Sequence, residues 1–318
     1  MKTLPVLLLF SLLLGGCEHI AVALAPDKPV STTRTEAAVK ADQLFWNTLH
    51  TGDYAGIPPT LDALLAAYLK DPGDATTAAH VGFLHVWALT ERSRLGAVPP
   101  NITDHAVLAR KYFSEAVRLN PADARFLGFL GASTVSEASI HNDEKLKRQG
   151  YYTLVRSIHA WPEFNLFTAG YVMSQKPSNS PQFKEALAWQ WLNLDECAGE
   201  EVSRATGDYS PYMQLEAKEG AKRVCWNSWI APHNFEGFFL NMGDMLVKSG
   251  NWRLAQKIYA NARLTPDYKH WKFAPVLEKR IAQAEQNVIL FNSDAPQSRS
   301  RQIMVKSAFG CTGCHQER

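Results

Sequence analysis

Phe239-Leu240-Asn241-Met242-Gly243-Asp244-Met245-Leu246-Val247-Lys248-Ser249-Gly250-Asn251-Trp252-Arg253-Leu254-Ala255-Gln256-Lys257-Ile258-Tyr259-Ala260-Asn261-Ala262-Arg263-Leu264-Thr265-Pro266 is the stretch on which the fold turns. Apolar residues recur at helical spacing on both sides of Gly250, and Pro266 closes the second run. Gly243, Ala255 and Ala262 are small where Met242, Trp252 and Tyr259 are large. Two helices approach closely only where one of them carries small side chains. The stretch therefore predicts a helix, a tight turn at Gly250, and a second helix packed back on the first.

The same signature extends upstream. Pro72 is followed ten residues later by Gly82, and Pro121 by Gly131, with Leu127 and Leu130 just ahead of it. Ala109, Phe113 and Ala116 precede Pro121. These positions resemble the tetratricopeptide (TPR) pattern, in which small residues mark helix contacts, a bulky residue lies between them and proline marks the turn. The resemblance implies an all-α, TPR-like helical repeat (α-solenoid) body over residues 36–291, with a concave face able to bind a protein. Pro266 comes one residue early for that pattern, Gly170 lies only eight residues after Pro162, and the turn prolines are unevenly spaced. The repeats are thus degenerate, with insertions between them; the competing account is an unrelated all-helical fold with similar turns. Helical periodicity also covers Glu36–Leu49, Leu61–Leu69 and a last helix at Glu278–Phe291, and no stretch alternates as a strand does. Loops are expected at Arg94–Asp104, Lys176–Pro181 and Thr206–Pro211, and Trp189, Trp191, Trp226 and Trp229 are expected in the core.

The chain ends in Gly310-Cys311-Thr312-Gly313-Cys314-His315. C-x-x-C-H places two thiols at a spacing that can take both vinyl groups of one haem, with an imidazole beside them for the iron. This resembles the attachment motif of the cytochrome c group. The resemblance covers Cys311, Cys314 and His315 alone and implies one covalent haem c, His315 as proximal metal ligand and, most often, electron transfer with a redox partner protein. A dithiol site or half of a zinc site are the alternatives; the first lacks its βαβ context, and the second a fourth ligand and a chelating spacing. Residues 292–318 then form a linker and a haem-binding segment, with a short helix expected at Arg301–Phe309. The sixth ligand is open among His80, His85, His141, His159, His233, His270, Met173, Met242 and Met245, while Met304 points off the iron.

At the other end, Lys2 and an apolar run from Pro5 to Leu14 lead into Leu14-Gly15-Gly16-Cys17. The run is too short to span a bilayer. It resembles the signal peptide and lipobox of bacterial lipoproteins, which implies removal of residues 1–16, lipidation of Cys17 and, with Glu18 following, anchoring at the periplasmic face of the outer membrane. Residues 17–35, rich in Ala, Pro, Ser and Thr, read as a lipidated tether.

A net charge of +2 gives no electrostatic case for nucleic acid. At 46% hydrophobic residues the chain can bury a large core. With Cys17 assigned to lipid and Cys311 and Cys314 to haem, Cys197 and Cys225 remain in an oxidising compartment, as a disulfide or as two buried thiols. Three functions are consistent with this: an electron-transfer lipoprotein, a TPR-type binding scaffold, or a haem-dependent enzyme or sensor with an open iron site. There is no nucleophile elbow, no H-E-x-x-H and no second C-x-x-C-H. The basic residues Arg299, Arg301, Lys306 and Arg318 make this end locally basic, either to steer an acidic redox partner toward the motif or as ordinary solvated surface charges.

Overall fold

The computed structural model describes residues 18–293 and 302–317. Cys17 and its lipobox, and Arg299, Arg301 and Arg318, lie outside the described residues. The fold is an all-α helical repeat, with no strand among the described residues. From residue 36 onward its α-helices are α1 (Glu36–Thr51), α2 (Ile57–Lys70), α3 (Ala75–Thr90), α4 (Asp104–Leu119), α5 (Ala124–His141), α6 (Glu144–Ala160), α7 (Pro162–Met173), α8 (Pro181–Ala198), α9 (Asn234–Lys248), α10 (Trp252–Asn261), α11 (Ala274–Ala282), α12 (Ala284–Asn292) and the single turn α13 (Thr312–His315). None of the described helices is long and apolar enough to cross a membrane.

The turns explain the order. Asp74 and Asp123, each two residues after a turn proline, cap α3 and α5 by accepting from the N–H groups of Thr76 and Thr77, and of Arg125. Consecutive helices pair antiparallel, and four of the pairs, α3–α4, α5–α6, α7–α8 and α9–α10, close on a glycine of their first helix. Gly82 faces Phe113, Gly131 faces Leu154, Gly170 faces Ala186 and Gln190, and Gly243 faces Tyr259. At each, a methyl group would fall inside contact distance of the partner helix. Gly170 thus does what its counterparts do, despite its irregular spacing. Pro72 and Pro121 sit in turns ahead of their helices, whereas Pro162 is already the first residue of α7, and this shortens the count.

Along the chain, α1 touches α3, and α5 touches α7, so the odd-numbered helices form an inner layer, with α2, α4, α6 and α8 outside it. Residues 199–233 form a loop-rich insertion between α8 and α9, and Cys225 within it is joined by a disulfide to Cys197 in the last turn of α8. Residues 28–34 are bonded to the body: Lys28 Nζ donates to Tyr68 Oη and Glu115, and Arg34 pairs with Asp42 and Asp74.

Three expectations change. The single helix over 278–291 is two, α11 and α12, broken at Gln283, whose backbone leaves the helical region; the offset lets Leu277 and Ala284 both reach the core. Residues 302–309 hold only a 3₁₀ turn at Met304–Lys306, because Ser307 is extended and its hydroxyl donates to the Met304 carbonyl. Trp189, Trp191 and Trp226 are buried, but Trp229 is exposed, against Trp46 and His50.

Candidate functional site

Cys311, Cys314 and His315 fall at i, i+3 and i+4 of one helical turn, so their side chains leave the same face. The N–H groups of Cys314 and His315 both donate to the Cys311 carbonyl, at 3.2 and 3.1 Å. The Gly313 carbonyl accepts from Trp271 Nε1 at 2.9 Å, and the Cys314 carbonyl from the His233 N–H at 3.0 Å. On the α9 side the turn approaches so closely that a methyl group on Gly237 would overlap Cys314 Sγ. Met304 lies beneath the turn, against Gly313, and is fully buried.

Two matching clamps hold this segment to the body. Glu91, at the end of α3, is buried; its Oε1 accepts from the Thr312 N–H at 2.8 Å and from Thr312 Oγ1 at 3.0 Å. Arg94 pairs with Glu91 at 2.8 Å and donates to the Ala308 carbonyl at 2.7 Å. In α9, buried Asp244 accepts from the Met304 N–H at 3.0 Å; Arg280 pairs with Asp244 at 3.2 Å and donates to the Gln302 carbonyl at 2.7 Å. Each clamp is one buried carboxylate and one arginine, which together satisfy a backbone donor and a backbone acceptor of the segment. Burial raises the pKa of both carboxyls, against the pull of their arginines.

His315 Nδ1 lies 2.8 Å from the Ile230 carbonyl oxygen. A carbonyl can only accept, so Nδ1 carries the proton and Nε2 keeps its lone pair. Burial lowers the imidazole to about 4, so it is neutral at physiological pH. His50 Nε2 meets the same carbonyl at 3.4 Å, on the Nδ1 side of His315 and away from its free nitrogen. Beyond His315, half-buried rings form a wall on the inner layer: Phe83 of α3 at 5.5 Å, then Phe129 of α5 at 5.5 Å from Phe83, then Phe164 of α7 at 5.9 Å from Phe129. Phe167 and Tyr171 continue it along α7.

The two thiols are not bonded to each other. Burial first, and then the Glu91 carboxylate, push the Cys311 thiol well above its ordinary value; burial pushes Cys314 up to about 12. Such an environment favours neutral sulfur. A thioether suits it, whereas the thiolate that dithiol exchange requires does not. Among the described residues no group of three or more His, Cys, Asp or Glu side chains is arranged to hold a bare metal ion. The donor set, two thiols and a neutral imidazole on one face beside an aromatic wall, fits a haem c with His315 toward the iron.

The other candidate iron ligands are dispersed. His85 bonds His105, Nδ1 to Nδ1 at 2.8 Å, and His233 bonds Glu236. Met173, Met242 and Met245 are in the core, and His141, His159 and His270 are exposed. His80, half-buried on α3 one turn from Phe83, has Nδ1 2.6 Å from Asp42 and stacks on Phe45. Glu91, Arg94, Asp244, Arg280 and the Ile230 carbonyl escape a sequence reading. The clamp residues are single charges among 33 basic and 31 acidic ones, and a carbonyl has no residue signature. Comparison with family models, curated proteins and solved structures finds no match to the chain.

Proposed function

We propose that the chain is an electron-transfer lipoprotein, carrying one haem c through Cys311 and Cys314 with His315 as proximal ligand. By the same proposal it is anchored through lipid on Cys17 at the periplasmic face of the outer membrane, where it meets a redox partner protein. The observation that carries the haem assignment is the His315 Nδ1 bond to Ile230, which fixes tautomer and ring orientation as the outer hydrogen bond of a metal-bound histidine does and makes Nε2 a better donor. Bound there, a haem supplies one-electron redox chemistry. The chain supplies the seat: the Glu91–Arg94 and Asp244–Arg280 clamps fix the turn, and Phe83, Phe129 and Phe164 keep water from one side. A pure scaffold role is less well supported, because the chain's own segment 302–317 already contacts the inner helices α1, α3 and α9 where a partner would lie.

The test is mass spectrometry of the chain exported alongside haem-attachment machinery. The C-terminal peptide is expected to carry the mass of one haem, and an unmodified peptide would overturn the assignment. For the anchor, Cys17→Ala is expected to release the protein from membranes; wild type that is already soluble would remove the lipid from the proposal.

A further inference from the structure

Buried phenol hydroxyls almost always find a hydrogen-bond partner, because the loss of water is otherwise uncompensated. The hydroxyl of Tyr171 has none. It is buried on the inner side of α7, in the electrostatic range of Cys311, Cys314 and Glu91. It lies 2.6 Å from where a methyl group on Gly310 would stand, next to Cys311 in the chain. Its ring stands beside Phe167, whose own neighbour is Phe238 of α9. Rotation of the hydroxyl costs little, so a donor here is free to meet whatever acceptor is placed at the edge of the Cys311–Cys314 turn.

We infer that Tyr171 is a positioning residue of the haem site, its hydroxyl donating a hydrogen bond to the thioether sulfur formed at Cys311. This rests on the haem reading above and adds to it a residue outside the motif. The Cys311 side chain is half-buried and turns toward α3, where the Thr90 hydroxyl hydrogen-bonds its sulfur. Alkylation of the sulfur removes its proton and leaves lone pairs that the unpartnered Tyr171 hydroxyl can meet. The positive end of the O–H dipole then points at the macrocycle edge. It stabilises the reduced, more negative state over the oxidised one, as hydrogen bonds around a haem do when they raise its potential.

The experiment compares the haem-loaded full chain with its Tyr171→Phe variant, which keeps the ring and loses only the hydroxyl. Both are expected to carry one haem by mass. The variant's reduction equilibrium is expected to move about fivefold toward the oxidised form, the worth of one modest hydrogen bond, and its C–S stretching bands in resonance Raman to shift. In the haem-free chain Tyr171→Phe is expected to leave the melting temperature unchanged or raise it, because an unpaired buried donor is removed. Equal potentials and equal Raman bands in the two loaded proteins would overturn the inference while leaving the haem assignment intact. A lower melting temperature in the haem-free variant would also overturn it, since the hydroxyl would already have a partner. Wild type that takes up no haem overturns both.

Discussion

The α9–α10 pair and the segment 302–317 are packed against each other but held by different physics. In the pair, the decisive contact is shape: Gly243 makes room for the Tyr259 ring, and Met242, Leu246, Ala255 and Ile258 fill the space around them. In the segment, the decisive contacts are polar: Glu91 and Asp244 each accept a backbone N–H, and Arg94 and Arg280 each hold a backbone carbonyl. Shape packing tolerates loss in graded steps, while a buried charge left without its partner fails at once. The helix pairs are therefore expected to bend under substitution, and the segment to let go.

The largest effect should come from Glu91→Ala. It takes the carboxylate from Arg94 and leaves the Thr312 N–H and Trp87 Nε1 without their acceptor, and should cost about 3–5 kcal/mol. Hydrogen exchange should show the amides of 302–317 deprotected while α9 and α10 stay protected; loss of protection throughout would mean that the two regions are not separable. Acid should then act with opposite signs on two buried groups of α3, His85 in the helix body and Glu91 at the clamp. Burial, helped by His105, depresses His85 from 6.5 to about 4, so its contribution to stability is present above pH 6.5 and is lost as pH falls toward 4, about 3 kcal/mol in all. The raised pKa of Glu91 works the other way: its contribution is present at low pH and is lost as pH rises through the folded value. A thermal melt series from pH 7 to 4 should fall, and His85→Gln should flatten it. Next, Gly243→Ala should push a methyl group into the Tyr259 ring and cost about 1–3 kcal/mol, lowering the melting temperature without selective release of the segment. The smallest effect is expected from Thr312→Val, which loses the hydroxyl's bonds to Glu91 and Arg94 but keeps the backbone bond, about 1 kcal/mol. Protease sensitivity near Ala308 should rise modestly.

The same contrast decides what could be read from the chain alone. Gly82, Gly131 and Gly243 announce their helices because packing of neighbours in sequence leaves a local trace. Gly170 looked wrong only because Pro162 moved from the turn into the helix. Cys311, Cys314 and His315 are legible because their chemistry demands a fixed spacing. Their seat is not, because it is assembled across the chain: Glu91 meets Thr312 from 221 residues away, and Arg94 meets Ala308 from 214. Nothing in the neighbourhood of either residue marks it as a clamp. Tyr171 is hidden for the same reason, since an unpaired hydroxyl exists only once its surroundings do.

The bond from the Glu317 N–H to the His50 carbonyl, 2.8 Å long, with Arg94 reaching both the Gly52 carbonyl and Thr312, joins the last described residues to the first long helix. An open solenoid unfolds like a zipper, fraying from whichever end is weaker, because each repeat answers only to its neighbours. Here the two ends are sewn to each other, and neither can fray until the seam parts. Loss of that seam should free both ends and let the repeats melt piecewise. The turn bearing Cys311 and His315 is part of the stitch, so whatever is attached there bears on the cooperativity of the entire body.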